Sequence, residues 1–260
     1  MGALISYRND GDTAGEVSGP ELENFPVSNL LTRQLSATWR TNRELKGGTP
    51  EIFVDLGEVK PVRVVALLAT NRERPNSYGD DLVIFMSEDN VDWMPLAIGT
   101  AANDAAVPGL PRNIVALTLG TDDAAWPMRY LRIIPQWETV NSEPYFEAGR
   151  LWIGDGLYLP EGVDGEWELG VHDRGRVQES AGLQVYVERR KQQRVLSLPI
   201  SNLDTTQAFG FADADPAAAN VPSMQDMFAH VGATGEIIAI PRAESPLWIR
   251  RTGVYGRLTD

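Results

Sequence analysis

The chain has 260 residues, 43% of them hydrophobic, and seven tryptophans, enough to bury a core without covalent staples. It has no cysteine, which excludes disulfides, thiolate metal sites and cysteine nucleophiles together. A formal net charge of −13 repels a phosphate backbone, so no nucleic-acid partner is expected.

The opening Met1-Gly2-Ala3-Leu4-Ile5-Ser6-Tyr7 lacks a basic region followed by a long apolar run, and 18 successive apolar residues occur nowhere. The expectation is synthesis in the cytoplasm without a signal peptide and no membrane insertion. Residues 3–7 read as a short first strand, followed by a polar, Gly- and Asp-rich connection over residues 9–23. Around Pro26 and Asn29 a short apolar turn offers Leu30 and Leu31 to a core, and Thr38-Trp39-Arg40-Thr41 follows as a strand.

Ile52, Val54 and Leu56 alternate with Glu51, Phe53 and Asp55, the period of a strand with one buried face, ending at Gly57. Residues 62–69 are almost continuously apolar between Pro61 and Asn71, which predicts a strand packed on both sides. A long polar loop over residues 71–81 precedes the strand at residues 82–86, which closes with Ser87-Glu88-Asp89-Asn90-Val91-Asp92-Trp93. Residues 99–111 have no clean period and are expected to cover an edge. Further strands are predicted at 114–119, 129–134 and 148–154, with a domain boundary near Asp155.

Beyond it, residues 183–189 and 195–200 alternate and are predicted to pair, joined by the basic turn Arg189-Arg190-Lys191-Gln192-Gln193-Arg194. Asn202 or Asp204 is placed to cap a helix through residues 208–211. A second helix is expected over residues 223–231, with Met224, Met227 and Phe228 on one face and a stop at Gly232. Residues 235–241 and 247–258 return as strands. The expected fold class is mainly β: an N-terminal sandwich at 1–154, and a smaller α+β domain at 155–260 with an antiparallel sheet and one or two helices.

The order Trp39, Asp55-Leu56-Gly57, the valine-rich run 62–68, the turn Ser87 to Trp93, and Arg129-Tyr130-Leu131-Arg132-Ile133 resembles the discoidin, or coagulation-factor C-type, module of the galactose-binding-like superfamily. The resemblance covers roughly residues 25–154 and implies a jelly-roll β-sandwich in which the early Trp is mostly a core residue. The family's frequent terminal disulfide is absent here. A second resemblance, over residues 180–260, rests on the strand pair, on Gly232-Ala233-Thr234-Gly235-Glu236-Ile237-Ile238-Ala239-Ile240-Pro241 and on Arg250-Arg251-Thr252-Gly253-Val254-Tyr255-Gly256-Arg257-Leu258. These segments are similar to tail proteins of long-tailed bacteriophages. That resemblance implies a virion component at the tail tip or baseplate, partnered with other tail proteins in a homo-oligomeric ring.

No catalytic constellation stands out. His172 and His230 occur singly, and no nucleophile elbow or phosphate-cradling loop is present. The pairs Asp80-Asp81 and Asp122-Asp123 are of the residue type used in glycoside hydrolysis, but neighbours in a strand point to opposite faces, which favours solvated turn charge. No cofactor is expected. Ser87-Glu88-Asp89-Asn90 or Gly79-Asp80-Asp81 offers oxygen ligands to a structural Ca2+, against a plain turn in which Asp and Asn bond their own backbone.

Glycan binding is the sharper hypothesis for the sandwich. Asn71, Arg72, Arg74 and Tyr78, beside Arg40, supply an aromatic face and planar hydrogen-bonding groups to a host surface glycan, or else simply pack and solvate. Arg189, Arg190, Lys191 and Arg194, with Arg242, Arg250, Arg251 and Arg257, form a basic patch on an acidic chain, suited to subunit contacts or to a solvated turn. The sequence therefore points to a non-enzymatic structural subunit of a phage tail tip or baseplate, with a carbohydrate-binding module without catalytic activity as the alternative.

Overall fold

The computed structural model describes residues 2–42, 51–70, 82–96, 101–102, 113–118, 125–135, 145–163, 167–172, 175–179, 185–188, 193–201, 203–210, 222–232, 235–243 and 253–258. Strands β1 (Ala3–Ser6), β2 (Glu16–Ser18), β3 (Trp39–Asn42), β4 (Ile52–Val62), β5 (Val64–Thr70), β6 (Leu82–Ser87), β7 (Met94–Leu96), β8 (Ala101–Ala102), β9 (Asn113–Thr118) and β10 (Trp126–Pro135) come first. They are followed by β11 (Tyr145–Ala148), β12 (Arg150–Gly154), β13 (Gly156–Leu159), β14 (Glu168–His172), β15 (Arg176–Glu179), β16 (Val185–Glu188), β17 (Gln193–Ser197), helices α1 (Thr205–Phe209) and α2 (Met224–Val231), β18 (Ile237–Ile240) and β19 (Val254–Gly256). The chain is mostly β, as expected, with a small helical part near the C-terminus.

The sandwich consists of a five-stranded sheet, β2-β4-β10-β6-β7, facing a four-stranded sheet, β12-β5-β9-β8. Its core takes Ile52, Val54 and Leu56 from β4, Leu131 and Ile133 from β10, and Ile84 and Met86 from β6. Val65, Leu67, Leu151 and Ile153 come from the opposite sheet, and Trp39 and Phe146 belong to the same cluster. The alternation read from residues 51–56 is therefore the alternation of burial along β4.

All seven residues of β5 are buried, and the reason lies in a further layer. Val65 and Leu67 face the sandwich core, whereas Val64, Ala66 and Leu68 join Trp152 against Leu4, Ile238 and Ile240. These last three belong to a third sheet, β13-β1-β18-β19, in which β1 pairs with β13 on one side and β18 on the other. Its far face, with Ala3, Ile5, Tyr7, Leu157 and Ala239, packs on Met227 and Val231 of α2. The order of layers is thus sheet, sheet, sheet, helix. Asp155 lies between β12 of the sandwich and β13 of the third sheet, to which the N-terminal β1 also belongs.

Four expectations change. β4 does not stop at Gly57: with φ of +83° that glycine turns the strand through a bulge, and pairing with β10 resumes at Lys60 opposite Met128. The predicted strand 148–154 is two strands divided by Gly149, whose amide donates to the Leu68 carbonyl. A side chain there would meet the Leu35 carbonyl oxygen at 2.4 Å. The predicted pairing of residues 183–189 with 195–200 is replaced by β15 with β16 and β14 with β17. Of the basic segment 189–194, residues 189–192 lie outside the described residues. Finally, Phe228 of α2 is exposed, because the helix buries Met227 and Val231, four apart on one stripe, along with part of Met224.

The caps follow the residue chemistry. Asp204 caps α1 and forms a reciprocal box with Gln207, and Gly210, in the left-handed region, caps the other end. Ser223 accepts from the Asp226 amide at the start of α2.

Candidate functional site

β3 and β11 form a two-stranded ladder in which Arg40 lies opposite Glu147 and Asn42 opposite Tyr145. Side chains alternate, so Trp39 and Phe146 turn into the core while Arg40, Tyr145 and Glu147 share the other face. Trp39 is fully buried, meets Phe146 edge-on at 5.9 Å, and donates from Nε1 to the Pro20 carbonyl at 2.9 Å. It is a core residue.

Arg40 is the centre of the site. Its guanidinium carbon lies 3.9 Å from the centroid of Phe25 and 4.6 Å from that of Tyr145. Its Nε donates to Oε2 of Glu147 at 2.6 Å. Glu147 is 2% exposed, but the Arg40 side chain retains 27%. The backbone completes the frame, since the Arg40 amide donates to Phe25 and its carbonyl accepts from Leu22. Two rings and a buried carboxylate therefore fix the plane of one guanidinium at the surface.

A second group of aromatic residues lies on the outer face of the five-stranded sheet. Phe53 stacks on Tyr130 at 6.1 Å and meets Trp93 edge-on at 6.4 Å. The Arg132 guanidinium lies 4.1 Å over Trp93, with its Nε 3.1 Å from Oε1 of Glu51. Arg129 lies 4.7 Å over Tyr130 and makes a two-pronged pair with Asp55 at 2.8 and 3.0 Å, which holds the Asp55 carboxyl below its ordinary range. These rings and guanidinium groups mostly engage one another, and Trp93 ties the turn after β6 to the sheet.

That turn accounts for one sequence candidate. Oδ1 of Asp89 accepts from the amides of Val91 and Asp92 at 2.8 and 3.0 Å and from the Ser87 hydroxyl at 3.0 Å, and Asn90 takes a left-handed φ of 65°. The amides, Asp92 first, hold the Asp89 carboxyl below its usual value. No group of three or more acidic or histidine residues suited to a metal occurs among the described residues.

Of the predicted glycan-binding residues, Arg40 is in the site described. Asn71, Arg72, Arg74 and Tyr78 lie outside the described residues, as do Gly79, Asp80, Asp81, Asp122 and Asp123. Arg189, Arg190, Lys191, Arg250 and Arg251 also lie outside them, and Arg194 is described only as a backbone position of β17. His172 falls in β14, and the exposed His230, in the last turn of α2, lies 6.1 Å from the ring of Tyr7. Phe25, Tyr145 and Glu147 were missed by sequence reasoning. The one available signal was Phe25 in a polar turn, since the partnership of Glu147 and Tyr145 with Arg40 follows from a strand register 107 residues distant.

No protein-family model matches the chain, and no curated protein matches it. Solved structures do. A CBM32 module from a family 31 glycoside hydrolase of Clostridium perfringens is 12% identical over 57% of this chain and 99% of its own, with a TM-score of 0.39. The family 32 module of C. perfringens NanJ, in complex with galactose, is 14% identical over 59% and 98%, with a TM-score of 0.42. A chitosan-binding module from a Paenibacillus chitosanase/glucanase is 18% identical over 56% and 98%, with a TM-score of 0.40. All three are carbohydrate-binding modules. None of these three is a bacteriophage protein, and at this distance they do not say what the present chain binds.

Proposed function

We propose that the sandwich is a carbohydrate-binding module without catalytic activity, and that Arg40, bracketed by Phe25 and Tyr145 and anchored by Glu147, is its recognition point. The carrying observation is the fixed guanidinium. Sugars are recognised by aromatic surface combined with planar donors, and a guanidinium held at 3.9 and 4.6 Å between two rings presents its η donors with little entropy left to lose on binding. Asn71, Arg72, Arg74 and Tyr78 are proposed to extend the same recognition surface, and a bound Ca2+ near Asp80 and Asp81 is proposed as a support for it.

Glycan-array screening followed by calorimetry tests the proposal. A charge-assisted hydrogen bond contributes about 1.5–3 kcal/mol, so Arg40→Ala should weaken binding roughly ten- to hundredfold. Arg40→Lys should weaken it too, because an ammonium cannot reproduce the planar fork. An affinity unchanged by either substitution would remove Arg40 from the site, and the absence of any glycan ligand would remove the function.

A second reading, a structural subunit of a multi-copy assembly such as a phage tail tip, is favoured by one observation. On the ladder of β15 with β16 apolar side chains stand in solvent: Val185 and Val187 are each 59% exposed, and among the described residues no third strand joins the pair.

A further inference from the structure

We propose that the outer face of the five-stranded sheet, around Arg132, is a second binding surface of the sandwich and takes an uncharged polysaccharide chain. This rests on the carbohydrate-binding reading of the sandwich, but not on Arg40.

Strand patterning points to the face first. β6 runs Val83-Ile84-Phe85-Met86 without a polar residue. In β5 such a run is matched by a packed layer on either side. Ile84 and Met86 of β6 likewise enter the sandwich core, but Val83 and Phe85 alternate away from it and keep part of their surface in solvent. The register sets Arg132 of β10 directly between Phe53 of β4 and Phe85 of β6. The two phenylalanines thus stand on strands two spacings apart, about 10 Å. A chain of sugar rings spans that distance and a single ring does not.

Charge selects the ligand. Arg129 makes its two-pronged pair with Asp55, at 2.8 and 3.0 Å, and Arg132 lies 3.1 Å from Glu51. These two guanidinium groups and two carboxylates balance, on a chain whose formal net charge is −13. A polyanion is repelled by the chain as a whole and finds no excess cation among them, and a polycation finds no excess carboxylate. An uncharged sugar chain uses every group present: its C–H faces lie on the rings, and its hydroxyls accept from guanidinium and donate to carboxylate.

The groups are also held in place before a ligand arrives. Phe53 stacks on Tyr130 and meets Trp93 edge-on, and the Arg132 guanidinium lies 4.1 Å over the Trp93 ring. The indole, rather than Glu51, sets the plane of that guanidinium, because the buried Nε of Arg132 makes no hydrogen bond among the described residues. Its side chain nevertheless stays 41% exposed, so its outer donors reach solvent with little freedom left to lose on binding.

Titration calorimetry of the full chain with mixed-linkage β-glucan, xyloglucan and galactomannan, and with polygalacturonate as the charged control, tests the proposal. Arg40→Ala serves as the background, so that the recognition point proposed above makes no contribution. That protein should bind at least one neutral polymer, with a Kd that changes less than about twofold between roughly 50 and 500 mM NaCl. Adding Phe53→Leu with Trp93→Leu keeps apolar bulk on the sheet but removes two rings, and should weaken binding at least about tenfold. Adding Phe53→Tyr instead keeps the ring and should leave the Kd within about threefold. Circular dichroism and melting check the fold, and if the double Leu variant unfolds, Phe53→Leu against Phe53→Tyr carries the comparison. Three results would each overturn the surface: no binding of any neutral polymer, equal affinities of the Leu and Tyr variants, or binding of polygalacturonate alone. Glycan-array binding by wild type, lost in Arg40→Ala, would in each case leave the Arg40 site standing.

Discussion

Among the described residues, the fold shifts the carboxyls of four aspartates, and they act in opposite directions. Asp55, bonded by Arg129, and Asp89, bonded by the amides of its own turn, have carboxyls held below the ordinary value. Folding stability from them is fully present above the unfolded value of about 3.9 and is lost as pH falls through the lower folded value. Asp155 is the reverse. Burial raises its carboxyl despite the Gly156 amide and the Arg63 guanidinium at 2.8 Å, and burial likewise raises Asp12 despite Arg150. Their contribution is present below about 3.9 and is lost as pH rises through the raised folded value. In urea titrations between about pH 6 and pH 3, Asp89→Asn should therefore flatten the decline of the midpoint in acid, and Asp155→Asn should steepen it. Parallel curves for all three proteins would show that these carboxyls titrate alike in both states. At this scale the sequence pointed to the turn at Ser87 but not to Asp155, whose burial comes from layers that meet only in the fold.

β5 shows what hydrophobic patterning can and cannot reveal about an element. Its unbroken apolar run predicts burial on both faces, and the structure supplies the two faces: Leu67 in the sandwich core and Leu68 against the third sheet. In a strand with one solvated face, neighbouring truncations differ widely. Here Leu67→Ala and Leu68→Ala should each cost about 2–5 kcal/mol, read from equilibrium denaturation, since each opens a cavity in a closed layer. A cost below about 0.5 kcal/mol for Leu68→Ala would mean that the third sheet does not cover β5. The identity of the covering strands was not legible. β1 and β18 are short apolar segments more than 230 residues apart, and no local period links them. The predicted pairing of residues 183–189 with 195–200 failed for a related reason: residues 183–189 alternate as an amphipathic strand does, but alternation specifies faces, not partners, and β16 pairs with β15. Arg40 was legible as a residue type beside Trp39. Its bracket was not, because Phe25 and Tyr145 come from either side of it in sequence and converge only through the β3–β11 register.

On the scale of the whole molecule, the same β1 strand decides how independent the two halves of the chain are. It is the N-terminal element, yet it hydrogen-bonds to β13 and β18 of the C-terminal half, and its Leu4 rests on the sandwich. Arg150 reinforces the connection: one η nitrogen of this buried guanidinium lies 2.8 Å from both Asp12 Oδ2 and Glu236 Oε2, joining β12 to the N-terminal segment and to the residue before β18. The Cβ-free Gly154 lets the chain at Arg8 pass over β12, where an added methyl would stand 1.8 Å from the Arg8 carbonyl oxygen. Layers interlocked in this way should melt together, as one calorimetric transition whose van't Hoff and calorimetric enthalpies agree. Arg150→Met leaves two carboxylates facing each other without their cation, so it should lower stability by about 3–5 kcal/mol and shift that transition without dividing it. Two resolved transitions in the wild type would show that the sandwich holds without its third sheet. One transition that divides only in Arg150→Met would instead assign the coupling to the guanidinium rather than to the shared strand.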